Sequence, residues 1–361
     1  MSHSVGGVRE YVRELVREMV LADSPHKFIL YYSDESLLGT HSDRAREVHL
    51  RAPHKLWWDH WSLPRALRRD RPDVVWFPQN VISLGVKTPA VVTLHDLLYF
   101  HIKEYPSREY RWADILYMRS MIPRSLRRSR RVVCVSEHTA KDARNLFGLS
   151  PAKISVLHEA PSRVFRVASA GAVESIRAKY GLQRPYFLYA GTCSVRKNIR
   201  VLFEAFARCH LDIPHDLVLT GGGGEAVVED RAQDVLDRCN LRGRVRMLGQ
   251  ISQEDLVALY QGAESFVFPS RYEGFGLPPL EAMACGCPVI CSNATSLPEV
   301  VGDAALVFDP DDVGKLEGHM RAMAGDPDLR DRMRGLGYTR VAQFSYLMAA
   351  LGMIALLEGA I

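Results

Sequence analysis

The sequence lacks a long hydrophobic run, and this absence limits where the protein can work. No uninterrupted apolar stretch reaches the ~20 residues that span a bilayer, and no hydrophobic signal-peptide core follows the first residues. We therefore expect a cytoplasmic protein that is soluble, or at most peripheral on the inner face of a membrane. The apolar segment 344–357 is too short to span, and its pattern predicts a helix that docks on the body of the protein.

Cysteine spacings typical of disulfide frameworks or zinc sites are also missing. The 7 cysteines are odd in number and scattered, which favours a reducing compartment. Cys285, Cys287 and Cys291 lie close together, but they lack C-x-x-C spacing and a downstream histidine partner. We interpret them as packing thiols rather than metal ligands.

Neither sign of charge dominates the composition. The net charge of +4 permits an anionic ligand but does not indicate nucleic acid, so no nucleic-acid partner is expected. A hydrophobic content of 47% and a charged content of 24% are average for a globular protein and argue against disorder. The length of 361 residues suits two α/β domains better than one.

Short apolar runs alternate with longer amphipathic ones, a pattern typical of βαβ units with parallel sheets. The predicted strands of a first domain are 28–32, 73–77, 90–94, 131–135 and 153–157. Those of a second domain are 186–190, 216–219, 245–248, 265–268, 288–291 and 305–308. Segment 159–170 has no strong periodicity and is predicted to be the linker. The expected domains are therefore 1–160 and 161–343, followed by the helical segment 344–361.

The beginning of the sequence departs from the usual doubly wound pattern, in which a strand precedes the first glycine-rich loop. Gly6 and Gly7 lead directly into a helical pattern, and only five residues precede them. Either the first strand is missing from this chain or the loop opens the domain directly. We favour the first explanation.

The richest motif lies between Glu273 and Glu281. Gly274 and Gly276 allow a tight turn that points amide N–H groups at a ligand, and a helix predicted from about residue 278 adds the partial positive charge that suits a diphosphate. One carboxylate can face a reacting sugar while the other accepts hydrogen bonds from ribose hydroxyls. The alternative is a glycine-rich strand-to-helix turn with a solvated glutamate.

Two further positions carry candidate chemistry. Arg196 and Lys197 precede a helix predicted at 199–209, where cations are electrostatically unfavourable unless they bind an anion such as a departing diphosphate. A basic helix start on the surface is the alternative. His95 follows the predicted strand 90–94, at the end of a parallel strand where open α/β sheets bind ligands. A hydrogen-bonded structural histidine is the alternative there.

Several weaker patterns compete with these motifs. Residues 221–226 fit G-x-G-x-x-A after a strand, but no acidic residue follows the next strand, so NAD binding is not expected. The D-x-D patterns at 309–311 and 326–328 lie in proline-containing turns and are interpreted as solvated. His138 is assigned to a helix-capping segment around Ser136.

A basic and aromatic surface is a further possibility. The run 119–131 contains arginines and no acidic residue, and Trp57, Trp58 and Trp61 lie near a second basic stretch at 65–71. Contact with an anionic membrane surface and ordinary solvated helix faces explain this pattern equally well.

The stretch 266–298 resembles the E-x7-E signature of retaining glycosyltransferases with the GT-B fold, in family 4 and its mannosyl- and rhamnosyltransferase branch. The resemblance extends to 139–157, 249–260, 298–303 and 308–310 and covers roughly two thirds of the chain. It implies an α/β architecture of two facing Rossmann-like domains with parallel sheets. The second would hold most of the donor and the first the acceptor.

The resemblance also implies roles for individual residues. Glu273 would contact the donor sugar hydroxyls, Glu281 the nucleotide ribose and Lys197 the phosphate. Thr192 stands where many members have an arginine, and Arg196 is the candidate to replace it. The full implied set is catalytic His95, Lys197 and Glu273, with donor-binding Gly7, Arg196, Lys197, Gly274, Phe275, Gly276, Leu277 and Glu281.

The implied function is transfer of a sugar, with retention, from a nucleotide-diphosphate sugar to a glycan or lipid-linked acceptor. GDP-mannose is the expected donor, with UDP-sugars left open, and no metal or other cofactor is expected. A nucleotide-sugar-binding protein without transfer activity and a nucleotide-sugar epimerase on the same fold are the alternatives.

Overall fold

The structure is a computed structural model that describes residues 7–106, 110–167, 169, 171–222 and 230–361. Gly6 and residues 223–226 of the G-x-G-x-x-A pattern lie outside the described residues. The chain divides into two compact units. Unit 1 comprises Met1–Tyr99, Trp112–Glu159 and Ser345–Ile361, and unit 2 comprises Phe100–Arg111 and Ala160–Phe344.

The strands of the described residues form three parallel sheets. Those of unit 1 are β1 Phe28–Tyr32, β2 Ala45–His49, β3 Val75–Phe77, β4 Ala90–Leu94, β5 Arg131–Cys134 and β6 Ile154–Val156. Those of unit 2 are β7 Tyr186–Ala190, β8 Asp216–Thr220, β9 Val245–Met247, β10 Ser265–Phe268, β11 Val289–Ser292 and β12 Ala305–Phe308. In unit 1, β1 pairs with β2, and a separate sheet has the order β3-β4-β5-β6.

The helices are, in chain order, α1 Gly7–Leu21, α2 Lys55–Trp57, α3 Leu63–Asp70, α4 Trp112–Arg128, α5 Glu137–Phe147, α6 Ala172–Tyr180, α7 Ile199–Cys209, α8 Asp230–Arg238, α9 Gln253–Gly262, α10 Leu277–Ala284, α11 Leu297–Val301, α12 Val313–Gly325, α13 Pro327–Val341 and α14 Tyr346–Glu358. A π-helical segment, Trp58–Ser62, joins α2 to α3. The predicted capping segment is confirmed. Ser136 is the N-cap of α5, and its hydroxyl accepts a hydrogen bond from the Thr139 amide at 3.0 Å.

The eleven predicted strands are confirmed with small shifts at their ends, but the sequence did not predict β2. The reason is its composition. β2 reads AREVH, and only Ala45 is buried, so no apolar run marks it. By contrast, β7, β8, β10 and β11 are buried at every position, as expected of parallel strands covered on both faces.

Unit 2 has the strand order β12-β11-β10-β7-β8-β9. Strands β7, β8 and β9 follow one another across the sheet in one direction. Strand β10 then pairs with the other side of β7, and β11 and β12 extend the sheet in the opposite direction. This is the doubly wound order, and it creates a topological switch point between β7 and β10. In doubly wound units, the loops on either side of such a point diverge, and ligands bind in the crevice between them at the carboxyl edge of the sheet.

One helical stretch, Pro327–Glu358, is long and apolar enough to cross a membrane by length and composition alone. It has 32 residues, and its most apolar 18-residue window has a mean hydropathy of 1.6. Regular helix is interrupted between α13 and α14, where Ser345 has an extended backbone. The buried face of α14, which includes Tyr346, Ala350 and Met353, packs on α1 within unit 1. A core helix of a soluble protein passes the same test, so this stretch is weak evidence for a span.

Candidate active site

Arg196, Lys197 and Glu273 meet at the switch point of unit 2. Arg196 and Lys197 lie in a short 3₁₀ turn after β7, and Glu273 lies in the loop after β10. The Lys197 Nζ atom is 2.6 Å from Glu273 Oε1, and Arg196 Nη1 is 3.3 Å from Glu273 Oε2. The Lys197 and Glu273 side chains are only 9% and 11% exposed. We call these three residues the switch-point cluster.

The electrostatics of the switch-point cluster favour an anionic ligand. Burial acts to raise the pKa of Glu273, but the Lys197 ammonium and the Arg196 guanidinium outweigh it and hold that pKa below its ordinary value. The carboxylate is therefore ionised at neutral pH. The cluster itself contains two cations and one carboxylate. Lys197 Nζ also lies 4.9 Å from the centroid of the Phe268 ring, a cation–π contact that helps to hold the ammonium.

Asn198 braces the turn that carries the two cations. Its backbone is left-handed, with φ of 59°, a conformation that asparagine tolerates better than most residues. Its side-chain amide donates to the carbonyls of Pro269 at 3.1 Å and Pro310 at 2.7 Å. The Arg196 carbonyl accepts a further bond from the Arg271 amide at 2.7 Å. Loops that follow β7, β10 and β12 are therefore tied together.

Thr295 and Ser296, in the loop after β11, hold the backbone of Glu273 from the other side. Thr295 Oγ1 accepts from the Glu273 amide at 3.0 Å. The Ser296 hydroxyl is within hydrogen-bond distance of the carbonyls of Glu273, at 3.1 Å, and Phe275, at 2.6 Å. Ser296 is fully buried, and Thr295 has a left-handed φ of 52°. We call these two residues the hydroxyl clamp, because together they fix the position of the loop that carries Glu273.

The glycine-rich turn before α10 depends on Gly276. This residue has a φ of +115°, and a Cβ there would come within 2.6 Å of Leu297 Cδ2. Gly276 immediately precedes Leu277, the first residue of α10, whose N-terminal amides lack partners within the helix. The Phe275 side chain is buried against Phe344, with ring centroids 5.9 Å apart, so a ligand could reach Phe275 only through its backbone.

Glu281 lies in the middle of α10 and is half-buried. Its Oε2 atom accepts a 3.5 Å hydrogen bond from the hydroxyl of Tyr260 in α9. Burial raises the pKa of Tyr260 well above its ordinary value, so the phenol stays protonated and donates. Glu281 therefore carries a carboxylate that is oriented by the protein, at one turn's distance from the beginning of α10.

His95 lies in unit 1, at the carboxyl end of β4, and both of its ring nitrogens are engaged. Nδ1 is 3.2 Å from the Glu159 carboxylate, and Nε2 is 2.8 Å from the carbonyl oxygen of Pro78. Burial acts to lower the pKa of His95, but the Glu159 carboxylate and the Pro78 carbonyl outweigh it and raise that pKa. Its amide donates to Asn80 Oδ1 at 2.9 Å. His95 and Glu159 thus form an ion pair without net charge, and protein groups are hydrogen-bonded to both ring nitrogens of His95.

Gly7, a predicted donor-binding residue, is exposed and begins α1.

The candidate metal-binding patterns are occupied by protein contacts or buried. The D-x-D pattern at 309–311 forms a turn in which Asp309 accepts a hydrogen bond from the Asp311 amide at 2.9 Å, and Asp311 pairs with Arg271. Cys285, Cys287 and Cys291 are buried and free. No group of three or more metal-binding side chains occurs in the part of the chain that the structure describes.

The sequence did not predict Asn198, Thr295 or Ser296 as parts of the site. A signal was available for the last two, because the polar run 292–296 follows a predicted strand at the same sheet edge as Glu273. Asn198 adjoins Lys197, but its bracing role depends on two carbonyls that are distant in sequence.

Two α/β units, one of them doubly wound with a cationic cluster at its switch point, define the architecture of a GT-B glycosyltransferase. Residues 5–160 match the family described as Glycosyltransferase Family 4, and residues 173–340 match Glycosyl transferases group 1. The O-antigen chain mannosyltransferase B of Escherichia coli is 36% identical over 289 residues, which cover 79% of this chain and 73% of that relative. The chain belongs to the group 1, or family 4, glycosyltransferases.

Two other similarities support more limited conclusions. The serotype-specific mannosyltransferase WbdA of Escherichia coli is 28% identical over 304 residues, which are 79% of this chain but only 36% of that longer relative. Sucrose-phosphate synthase from Thermosynechococcus elongatus superposes with a TM-score of 0.76 at 23% identity, covering 98% of this chain and 94% of that structure. The second similarity bears on the fold alone and agrees with the predicted GT-B class.

Proposed function

We propose that this glycosyltransferase moves mannose from GDP-mannose to a glycan or lipid-linked acceptor, with retention of the anomeric configuration. The observation that carries the proposal is the switch-point cluster, which is largely buried, contains two cations and one carboxylate, and lies where doubly wound units bind nucleotides. The similarity to an O-antigen chain mannosyltransferase supports the choice of sugar. A UDP-sugar is the alternative donor.

In this proposal unit 2 binds the donor. Lys197 and Arg196 bind the diphosphate, and the amides at the beginning of α10, including those of Gly276 and Leu277, add partial positive charge. Glu273 accepts hydrogen bonds from sugar hydroxyls through its ionised carboxylate, and Glu281 accepts them from the ribose. The backbone of Gly274 and Phe275 contacts sugar and phosphate.

The reaction proposed is a front-face displacement. The acceptor oxygen bonds to the sugar C1 on the face from which the diphosphate leaves, while the bond between C1 and the diphosphate oxygen breaks. The acceptor proton passes to the departing diphosphate, so no protein base is consumed. The transition state resembles an oxocarbenium ion. Lys197 and Arg196 neutralise the charge that develops on the leaving group, so the mechanism does not require a metal ion.

Unit 1 binds the acceptor in this proposal, with Gly7 approaching the donor phosphate. His95 contributes by positioning rather than through a free ring nitrogen, because Glu159 and Pro78 occupy both nitrogens.

The domain limits 1–160, 161–343 and 344–361 stay predictions. A cytoplasmic location, with peripheral contact at the inner membrane face, is proposed; the free thiols of all 7 cysteines support a reducing compartment.

The test is incubation of the full chain with GDP-mannose, GDP-fucose, UDP-glucose and UDP-galactose, each with and without mannose-terminated oligosaccharides. We expect GDP release that increases with acceptor, and an axial product linkage by NMR. An epimerase would convert the donor into its epimer without releasing nucleotide. A binding protein would give a heat of donor binding in calorimetry but no turnover. Either result would refute the transferase proposal, while faster release from a UDP-sugar would correct the donor alone.

A further inference from the structure

Unit 1 carries a surface on which exposed apolar side chains lie beside arginines. Trp57, Trp61 and Leu84 are 45%, 52% and 43% exposed. Large exposed apolar groups that cluster rather than scatter indicate a surface that another phase or molecule covers. We call these three residues, together with Arg124, Arg127 and Arg128, the tryptophan–arginine surface.

Hydrogen bonds of His60 show that the parts of this surface are adjacent. His60 lies in the π-helical segment between the two tryptophans, whose ring centroids are 5.6 Å apart. Its Nδ1 accepts from the Leu84 amide at 3.0 Å, and its Nε2 is 2.8 Å from the hydroxyl of Tyr117 in α4. Burial lowers the pKa of His60, so its ring stays neutral and can accept from the Leu84 amide.

The arginines line a cavity of about 400 Å³ next to Leu84. Arg124, Arg127 and Arg128 project from the last turns of α4 and form its rim, and the loop 82–85 forms its other wall. None of the three guanidiniums forms an ion pair with a carboxylate of the described residues. Guanidiniums match phosphate oxygens in geometry and charge, so the cavity suits a phosphate-bearing group.

Within unit 1, the arginines of this surface and His95 lie at opposite edges of one sheet. The Arg130 amide, just beyond α4, donates to the carbonyl of Ala90, the first residue of β4, at 2.8 Å. The arginine end of α4 therefore lies at the amino edge of the four-stranded sheet. His95 lies at the opposite, carboxyl edge of the same sheet. A ligand of the three arginines would not occupy the place of His95.

We propose that the tryptophan–arginine surface docks unit 1 on an anionic phospholipid bilayer. The guanidiniums bind headgroup phosphates, and the indoles enter the interface, the depth at which tryptophan is most favourable. A bilayer fits better than a folded partner because uncompensated positive charge beside indoles complements a phosphate layer above hydrocarbon. The inference rests on the proposed function in one respect, since a lipid-linked acceptor would lie in the same membrane, but binding can be measured without transfer.

The test is flotation of the full chain with vesicles of phosphatidylcholine alone and of phosphatidylcholine mixed with phosphatidylglycerol. We expect binding to the mixed vesicles, weakening as salt increases. Replacing Arg124, Arg127 and Arg128 together by glutamine should reduce the partition coefficient about 100-fold, given roughly fivefold for each basic residue near an anionic surface. Trp57→Ser with Trp61→Ser should also reduce binding, with a salt dependence like that of the unaltered chain.

A matched control changes the same charge elsewhere. Arg208, Lys315 and Arg332, which are exposed on helices of unit 2, are replaced together by glutamine and should leave more binding than the α4 variant does. All variants alter exposed side chains, and circular dichroism checks that they fold. Equal binding to neutral vesicles, no binding to anionic ones, or equal losses in the two triple variants would overturn the proposal. So would binding of free inorganic diphosphate at the arginines without vesicle binding. Nucleotide release with a soluble oligosaccharide tests the proposed function separately.

Discussion

The two units each place a buried ion pair at the carboxyl edge of a parallel sheet, but the two pairs differ in charge. In unit 1, His95 and Glu159 balance each other at 3.2 Å, and the Pro78 carbonyl accepts the remaining ring N–H. In unit 2, Glu273 faces both Lys197 and Arg196. The first group holds one cation and one carboxylate, and the second holds two cations and one carboxylate.

This difference indicates which pair holds structure and which is prepared for a ligand. A neutral pair with its hydrogen bonds made inside the protein is a satisfied buried network. A cluster in which two cations face one carboxylate attracts a further anion, because cations that are partly withdrawn from water interact strongly with negative charge. A diphosphate is an anion of this kind. We therefore assign ligand binding to the switch-point cluster and positioning to His95 with Glu159.

The largest expected effect comes from removing one of the two cations of the switch-point cluster. Lys197→Ala should lower kcat by roughly 10²–10³, the cost of losing one preorganised group that stabilises developing charge. Because Arg196 still faces Glu273, we expect the fold to persist by circular dichroism. Nucleotide release under saturating donor is the measurement.

Lys315→Ala provides the matched control, since it removes an exposed lysine from α12 of the same unit and should leave kcat unchanged. A loss for Lys197→Ala no greater than that of the control would break the distinction between the two pairs.

An intermediate effect is expected at the hydroxyl clamp. Ser296→Ala removes the hydroxyl that bonds to the carbonyls of Glu273 and Phe275, so the loop that carries the carboxylate becomes less fixed. We expect kcat to fall roughly tenfold and the free energy of unfolding to fall by about 1–3 kcal/mol, the cost of unsatisfied buried groups. Steady-state kinetics and urea unfolding measure the two effects.

Ser265→Ala is the control for this variant, because Ser265 is equally buried and also bonds to a carbonyl, that of Pro288, but lies at the amino end of β10. It should lose similar stability without the fall in kcat. Equal falls in kcat would mean that the clamp acts only through stability.

The smallest effects, in stability rather than rate, should have opposite pH dependence in the two units. The folded pKa of His95 is raised above the ordinary 6.5, so its stabilising contribution is fully present below that pH and is lost as pH rises through the folded value. The folded pKa of Glu273 is lowered below the ordinary 4.5, so its contribution is present above that pH and is lost as pH falls through the folded value.

Thermal unfolding of His95→Gln and Glu273→Gln over a pH series measures these contributions. The stability difference between the unaltered chain and His95→Gln should shrink with rising pH, and the difference for Glu273→Gln should shrink with falling pH. Parallel trends in the two variants would contradict the assigned charge states.

Much of the architecture was predictable from the sequence because buried parallel strands are continuous apolar runs. β7 and β10 could be identified in this way, and parallel strands then placed Lys197 and Glu273 at one sheet edge. β2 could not be predicted, because a half-exposed edge strand needs no apolar run.

The detailed geometry of the site was less predictable, since it depends on contacts between residues distant in the chain. The contact of Lys197 with Glu273 joins residues 76 positions apart, and no local pattern encodes it. The hydrogen-bond partners of His95 could not be predicted from the sequence either. Its place after β4 was evident, but the Glu159 and Pro78 contacts that occupy its ring appear only in the folded chain.

The central claim is that the switch-point cluster binds the diphosphate of the donor, and calorimetric titration tests it most directly. GDP and guanosine are titrated into the unaltered chain and into Lys197→Met, which keeps the apolar stem and removes the charge. We predict at least a roughly tenfold weaker Kd for GDP in the variant and an unchanged Kd for guanosine, since a charge-assisted bond contributes about 1.5–3 kcal/mol. An unchanged Kd for GDP, or equal weakening for both ligands, would contradict the account.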